Sequence, residues 1–334
     1  MSSTSPLPLT DRFGRVHSDL RVSLTDRCNL RCTYCMPEEG LSWLAKPELL
    51  SDDEVLRLVD VATRRLGIRT VRLTGGEPLL RRGLPDLVAR ISALPYAPEL
   101  SITTNGVGLA RTAVALREAG LRRVNVSLDT LRPERYAEIT RRDRLSDVLL
   151  GLAAAQAAGL APVKVNAVPV RGVNEDEIAD LAAFALEHGY RMRFIESMPL
   201  DAQGAWERDR MITADEILER LRERFTLEPV ARTGSAPAEE WRVDGTDATI
   251  GVIASVTRPF CGGCDRVRLT ADGQLRNCLF ASEESDLRAL LRGGADDAAV
   301  EAAWRVSVAG KGPGHAINSA EFRQPVRPMS AIGG

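Results

Sequence analysis

The sequence predicts an α/β protein built on a parallel sheet, with helices outside it and ligands gathered at one edge. Three observations carry this. Short apolar strands alternate with amphipathic helices, giving six strand–helix units in about 200 residues. Several helices open on capping residues and close on glycine. The residues able to do chemistry fall just after strand ends, where parallel α/β folds place their sites. An open doubly wound sheet and a curved partial barrel both fit this string.

The first ~20 residues lack periodicity, and residues 1–15 read as an N-terminal arm. Leu20–Leu24 then alternates as a strand and runs directly into Cys28. Ser51 with Glu54 is a capping box, opening a helix on apolar positions Val55, Leu58, Val59, Ala62 and Leu66 that Gly67 closes. Further strands are expected at Thr70–Thr74, Leu100–Thr104, Arg123–Leu128, Val163–Val168 and Arg191–Ile195. Helices are expected near 84–94, 109–119, 146–158 and 175–188, with Asn174 and Glu177 as the last one's start signal and Gly189 as its stop. Thr213 and Glu216 open one more helix, ending at Phe225. From residue 226 the texture changes. Gly, Ser and Pro loosen 233–237, and short β-like runs at 241–243, 249–254 and 266–269 surround three more cysteines. Residues 16–225 therefore read as the sheet domain and 226–334 as a C-terminal module packed on its mouth, with a flexible end at Ser330–Gly334.

With 334 residues and 44% hydrophobic content, the chain can bury a sizeable core. Its 44 basic and 46 acidic residues leave a formal charge of −2. That gives no general pull toward nucleic acid or a membrane surface, so anion binding must come from local arginines and lysines. No apolar run approaches the length of a membrane span, and Met1–Pro8 lacks the pattern of a secretory signal. A cytoplasmic location is expected, where thiols stay reduced and clustered cysteines are metal ligands more often than disulfides.

All six cysteines fall into two triads: Cys28, Cys32, Cys35 and Cys261, Cys264, Cys278. Three is an awkward number for a disulfide, and a closed zinc site wants four ligands. Three thiolates suit a cubane iron–sulfur cluster whose fourth iron is left for a small molecule. Two other readings compete. The i, i+4, i+7 spacing of the first triad would align three inert cysteines on one face of a buried helix, though Asn29 and Pro37 oppose a helix there. Zinc needs a fourth ligand, and His17, His188 and His315 form no local pair.

The spacing Cys-x3-Cys-x2-Cys resembles the signature of the radical S-adenosylmethionine superfamily, and Gly75-Gly76-Glu77-Pro78 resembles its Gly-Gly-Glu-Pro motif. Val256–Cys261, Arg266–Gly273, Arg193–Glu196, Asn125–Asp129 and the terminal Gly-Gly closely resemble the GTP 3′,8-cyclase family, over residues 12–334. That resemblance implies an incomplete (β/α)6 TIM-like barrel with a C-terminal iron–sulfur module, two 4Fe-4S clusters and S-adenosyl-L-methionine. It implies the first step of molybdenum cofactor biosynthesis, with GTP as substrate. The six cysteines would ligate the clusters. Tyr34, Gly76, Ser127 and Met198 would contact S-adenosyl-L-methionine. Arg21, Arg72, Thr103, Lys164, Arg266, Val267 and Arg268 would contact GTP, with Arg193 as a further candidate. Arg21, Arg266 and Arg268 would be catalytic, holding the triphosphate and the intermediate. A homodimer, an external low-potential reductant and hand-over of the product to cyclic pyranopterin monophosphate synthase are also implied. So is a C-terminal tail reaching the active site. Thr70, where relatives often have lysine, and Asp265, where asparagine is common, depart from the pattern. The neighbouring alternative is another radical S-adenosylmethionine enzyme with an auxiliary cluster, such as a peptide-modifying enzyme.

Overall fold

The structure, a computed structural model, describes residues 7–320 and 322–333. The N-terminal residues pair β1 (Leu9–Thr10) with β2 (Val16–His17) as a small antiparallel ladder, and Leu9 is fully buried. The stretch read as an arm is thus anchored from Leu9 onward. The alternation expected from the sequence follows. It runs through β3 (Asp19–Ser23), α1 (Asp52–Leu66), β4 (Thr70–Thr74), α2 (Leu84–Ser92), β5 (Glu99–Thr104), α3 (Leu109–Glu118) and β6 (Arg123–Ser127). It continues with α4 (Pro133–Thr140), α5 (Leu145–Ala157), β7 (Val163–Ala167), α6 (Ile178–Glu187), β8 (Arg191–Ile195) and α7 (Ala214–Arg222).

The helix signals act as read in two places. Ser51 Oγ accepts from the Glu54 N–H while the Glu54 carboxylate accepts from Ser51, and Gly67 ends α1 in the left-handed region. Thr213 and Glu216 close the same box on α7. The third signal is different. Asn174 caps nothing; its amide donates to the Asp129 carbonyl and its Oδ1 accepts from the Val170 N–H, bracing a loop. Glu177 is buried and accepts from Thr130 and Leu131, so both residues serve tertiary contacts instead of the helix start.

Beyond α7 come β9 (Leu227–Pro229), β10 (Glu239–Val243), β11 (Thr249–Ile253), β12 (Arg266–Leu269), β13 (Gln274–Arg276), β14 (Ser285–Asp286), α8 (Leu287–Arg292), α9 (Asp297–Ala309) and α10 (Met329–Ile332). These late strands do not form a separate sheet. Among the described residues, twelve strands share one sheet in the order β14-β13-β12-β3-β4-β5-β6-β7-β8-β11-β10-β9. β12 pairs parallel with β3, and β11 pairs parallel with β8. The six central strands are therefore extended to eight parallel ones by two strands that are consecutive in sequence yet lie on opposite edges. Residues 254–265 connect those two edges.

Alternation within each strand divides the side chains. Leu20, Val22, Val71, Leu73, Val124, Val126, Val165 and Phe194 join the buried apolar core with the helices. The intervening positions point to the other face. One carboxylate ties the late segment to the barrel: buried Glu196, just after β8, accepts from the N–H groups of Ala214, Val256 and Thr257 and from the Thr257 hydroxyl. No helix among the described residues is long and apolar enough to cross a membrane.

Candidate active site

The first triad lies in the loop leaving β3, at the C-terminal edge of the parallel strands. The loop is pinned by main-chain bonds from Arg31 to Thr140 (3.0 Å) and from Thr33 to Ile139 (2.9 Å), and it turns at Cys32, whose carbonyl accepts from Cys35 and Met36. Burial and the neighbouring sulfurs Cys35 and Cys28 push the Cys32 thiol well up; burial and Cys28 push Cys35 up to about 12. Three half-buried thiols that resist ionisation together are stabilised by a cation that takes their charge. Among the described residues, no three His, Cys, Asp or Glu side chains converge as ligands for one metal ion. A cubane, in which each thiolate takes its own iron, does not ask them to.

The Gly-Gly-Glu-Pro stretch crosses this loop. A Cβ on Gly76 would overlap the carbonyl oxygens of Asp26 and Arg27, and the Gly76 N–H donates to Thr25 O at 2.7 Å. Glycine is needed here for the close approach of two backbones. Glu77 has a role that the motif alone did not disclose. Fully buried, it accepts from Thr104 Oγ1 (2.7 Å), the Asn105 N–H (2.7 Å) and the Leu79 N–H (2.9 Å), and burial raises its carboxyl to about 7. Asn105 in turn donates to Asn29 Oδ1 (2.7 Å) and lies 3.8 Å from Cys28 Sγ. The ends of β4 and β5 thereby brace the sulfur-bearing loop.

Of the residues expected to contact S-adenosyl-L-methionine, Tyr34 and Met198 line one cavity of about 520 Å³ with Thr33, Ile139 and Ser197. Ser127 and Tyr34 line a smaller one beside Cys32 and Asn105. The Tyr34 hydroxyl donates to Asp129 at 2.5 Å, and Asp129 also accepts from the Val168 N–H. Gly76 faces neither cavity; its neighbours are main chain.

The second triad is at the other end of the strands. Cys261 and Cys264 share a tight turn just before β12, and Cys278 follows β13, which runs antiparallel to β12. β12 runs parallel with β3, with Arg266 opposite Asp19 and Leu269 opposite Val22. The C-terminal triad therefore sits at the N-terminal ends of the parallel strands, not over the mouth, and the five residues of β3 put about 13 Å of strand between the two levels. Sequence reading placed it on the mouth because nothing local discloses the edge to which β12 pairs.

Between the triads the inner face of the sheet is cationic. Arg268 stands opposite Arg21, Arg21 opposite Arg72, and Arg266, Arg193, Arg123 and Lys164 lie close enough to repel them. Burial and Arg72 press Arg21 down to about 9. Burial, with Arg193, Arg123 and Arg72, brings Lys164 to about 7. Burial holds Arg72 and Arg193 to about 10 and lowers Arg268 strongly. The Nε atoms of Arg21 and Arg72 are buried without a partner, whereas Arg123 Nε pairs with Glu99 at 2.8 Å and Arg266 Nε lies 3.7 Å from Asp265. Asp19 faces this group from β3. A cluster of cations in which buried donors lack partners, with Asp19 as its carboxylate neighbour on β3, fits a polyanion such as a triphosphate. Thr103 accepts from Asn125 at 3.2 Å on the same stretch of sheet. Val267 does not join them: its side chain is fully buried in the apolar core, on the opposite face of β12 from Arg266 and Arg268.

Two further expectations are resolved. Residues 330–333 are not loose: Ser330 and Ile332 are buried, Gly333 O accepts from Arg268, and a Cβ on Gly333 would crowd Ser23 and Thr74, while Gly334 lies outside the described residues. Arg327 holds this segment through both oxygens of Asp272. Asp265, the departure from asparagine, accepts from the hydroxyls of Ser18 (3.1 Å) and Ser235 (2.7 Å), so its carboxylate joins the segment before β12 to β3.

Comparison with known proteins agrees with this architecture. Residues 22–185 match the model of the Radical SAM superfamily, and residues 190–317 match Molybdenum Cofactor Synthesis C. The chain is 63% identical over 328 residues to GTP 3′,8-cyclase of Streptomyces coelicolor, covering 98% of this chain and 96% of that one. It is 60% identical to GTP 3′,8-cyclase of Mycolicibacterium smegmatis, covering 98% and 92%. The crystal structure of Streptococcus suis SuiB bound to S-adenosylmethionine superposes with a TM-score of 0.58 at 16% identity, over 85% of this chain and 67% of that chain, a likeness of fold. Two cysteine triads, the Gly-Gly-Glu-Pro crossing and near full-length identity lead to one conclusion: the chain belongs to the GTP 3′,8-cyclase family of radical S-adenosylmethionine enzymes, with two 4Fe-4S clusters and S-adenosyl-L-methionine as cofactors.

Proposed function

We propose that the chain converts GTP to (8S)-3′,8-cyclo-7,8-dihydroguanosine 5′-triphosphate, forming a C3′–C8 bond as the first step of molybdenum cofactor biosynthesis. The observation that carries this reading is the buried cationic face set between two three-thiol sites at opposite ends of the barrel. When bound, the first cluster with S-adenosyl-L-methionine supplies a 5′-deoxyadenosyl radical able to take a hydrogen atom. The protein's part is placement. Cys28, Cys32 and Cys35 would hold the first cluster, with Tyr34, Ser127 and Met198 around the cofactor and Gly76 serving it through the close main-chain crossing beneath the cysteine loop. Cys261, Cys264 and Cys278 hold the second cluster near the guanine end.

Arg21, Arg72, Lys164, Arg266 and Arg268 neutralise the triphosphate, and their repulsion for one another is relieved when it binds. Thr103 and the Val267 main chain complete the substrate set. A homodimer, an external low-potential reductant, a cytoplasmic location and transfer of the product to cyclic pyranopterin monophosphate synthase belong to the same proposal. The test is anaerobic incubation of reconstituted protein with dithionite, S-adenosyl-L-methionine and GTP. Formation of 5′-deoxyadenosine together with a cyclised GTP is expected; absence of both overturns the assignment.

A further inference from the structure

The chain has three lysines among its 44 basic residues: Lys46, Lys164 and Lys311. Lys164 belongs to the cationic face, but Lys311 does not. It follows α9 and is 3% exposed. Its Nζ donates to Arg266 O at 2.7 Å and lies 3.5 Å from both Cys264 Sγ and His17 Nδ1. With Nδ1 facing the ammonium, the His17 hydrogen sits on Nε2, which is 3.1 Å from Asp11 Oδ2. His17 is completely buried. Asp11 is fixed by Arg15 Nε (2.6 Å) and by the N–H groups of Phe13 and Arg15. Arg15 then reaches the carbonyl oxygens of Cys261 (2.8 Å) and Gly312 (2.6 Å). A buried line Asp11–His17–Lys311 thus runs from the N-terminal ladder to the second triad.

None of the three acceptors around this ammonium is a carboxylate. A buried cation without a carboxylate partner carries a desolvation cost, so its placement calls for a compensating charge. The thiolate of a cluster ligand supplies one. The residue type fits as well. A compact ammonium can serve three acceptors arranged around one atom, which a planar guanidinium cannot. In a chain that uses arginine for nearly all its positive charge, that geometry is a reason for lysine here.

We infer that Lys311 is a positioning residue for the second cluster: its ammonium hydrogen-bonds the Cys264 thiolate and raises the reduction potential of the cluster held there, while His17 and Asp11 fix its place. Donors to ligand sulfur stabilise the more negative, reduced cluster. The inference rests on the reading of the second triad as a cluster site.

The test uses the full chain with Cys28, Cys32 and Cys35 replaced by alanine, so that only the second cluster is read in an anaerobic redox titration followed by electron paramagnetic resonance. Lys311→Met should lower the reduced-to-oxidised ratio about tenfold at the parent's midpoint, a shift of about 59 mV for one electron. His17→Phe, which keeps the ammonium but removes its anchor, should move the midpoint the same way by less. If Lys311→Met does not load iron, unsubstituted protein grown with ¹⁵N-lysine should show hyperfine coupling between a lysine nitrogen and the reduced cluster. A loaded cluster with an unmoved midpoint, or no lysine coupling, overturns the inference and leaves the cluster reading intact. A parent protein without iron at the second triad overturns both.

Discussion

Lys164 gives a quantitative handle on the anion site. Burial and the neighbouring arginines Arg193, Arg123, Arg72 and Arg191 bring its ammonium from 10.5 to about 7 in the free protein. Bound triphosphate supplies the opposite charge that the arginines withhold, so its pKa returns toward the ordinary value. At pH 8 about nine-tenths of free Lys164 is neutral, and GTP binding should take up about 0.9 proton. Affinity should accordingly fall about tenfold per pH unit between pH 7.5 and 9. Arg21, pressed to about 9, begins to titrate at the top of this range, and the Lys164→Met control separates its contribution from that of Lys164. The same shift acts on folding with a defined sign. Between about pH 7 and 10.5 the unfolded chain binds the proton and the folded one does not, so stability of the unliganded protein rises with pH, by at most about 1.4 kcal/mol per unit. The assay is anaerobic calorimetry of GTP binding in buffers of different ionisation enthalpy, with Lys164→Met as the control. No proton uptake at pH 8, or equal uptake in the variant, would refute the placement of Lys164 against the phosphates.

Other expectations follow from single contacts. Gly76→Ala forces a Cβ onto the Asp26 and Arg27 carbonyls, so iron analysis should show loss at the first triad with the second still loaded. Glu196→Gln puts an amide where four donors point, and urea unfolding should register a loss of about 2–4 kcal/mol. Replacing Arg266 and Arg268 together by alanine removes two cations beside Arg21; at about 1.5–3 kcal/mol per charged hydrogen bond, GTP binding by equilibrium dialysis should weaken at least tenfold.

The strand–helix alternation was legible because each unit is written locally, in a two-residue or 3.6-residue period with its caps. The six cysteines were legible because their spacing is chemical. What stayed hidden depends on distant segments. No local signal pairs β12 with β3 or β11 with β8, so the late strands read as a separate module and the second triad as lying over the mouth. Asn174 and Glu177 have the spacing of a capping box but are drawn into contacts with Asp129 and Thr130, where tertiary demand outweighs local preference. The terminal residues read as flexible from small-residue composition, whereas Arg268 and Arg327 tie them down from elsewhere in the chain. The bracing roles of Glu77 and Asn105, candidates by their place at strand ends, and the contact made by Lys311 were hidden for a similar reason: each acts on a sulfur-bearing loop through space.

The central claim is that the barrel presents C3′ of GTP to a radical generated at the first triad. GTP deuterated at C3′ tests it directly, with mass analysis of the 5′-deoxyadenosine formed under anaerobic, reducing turnover. Deuterium in that product, together with cyclised GTP, is the predicted result. Unlabelled 5′-deoxyadenosine formed alongside intact GTP would contradict it.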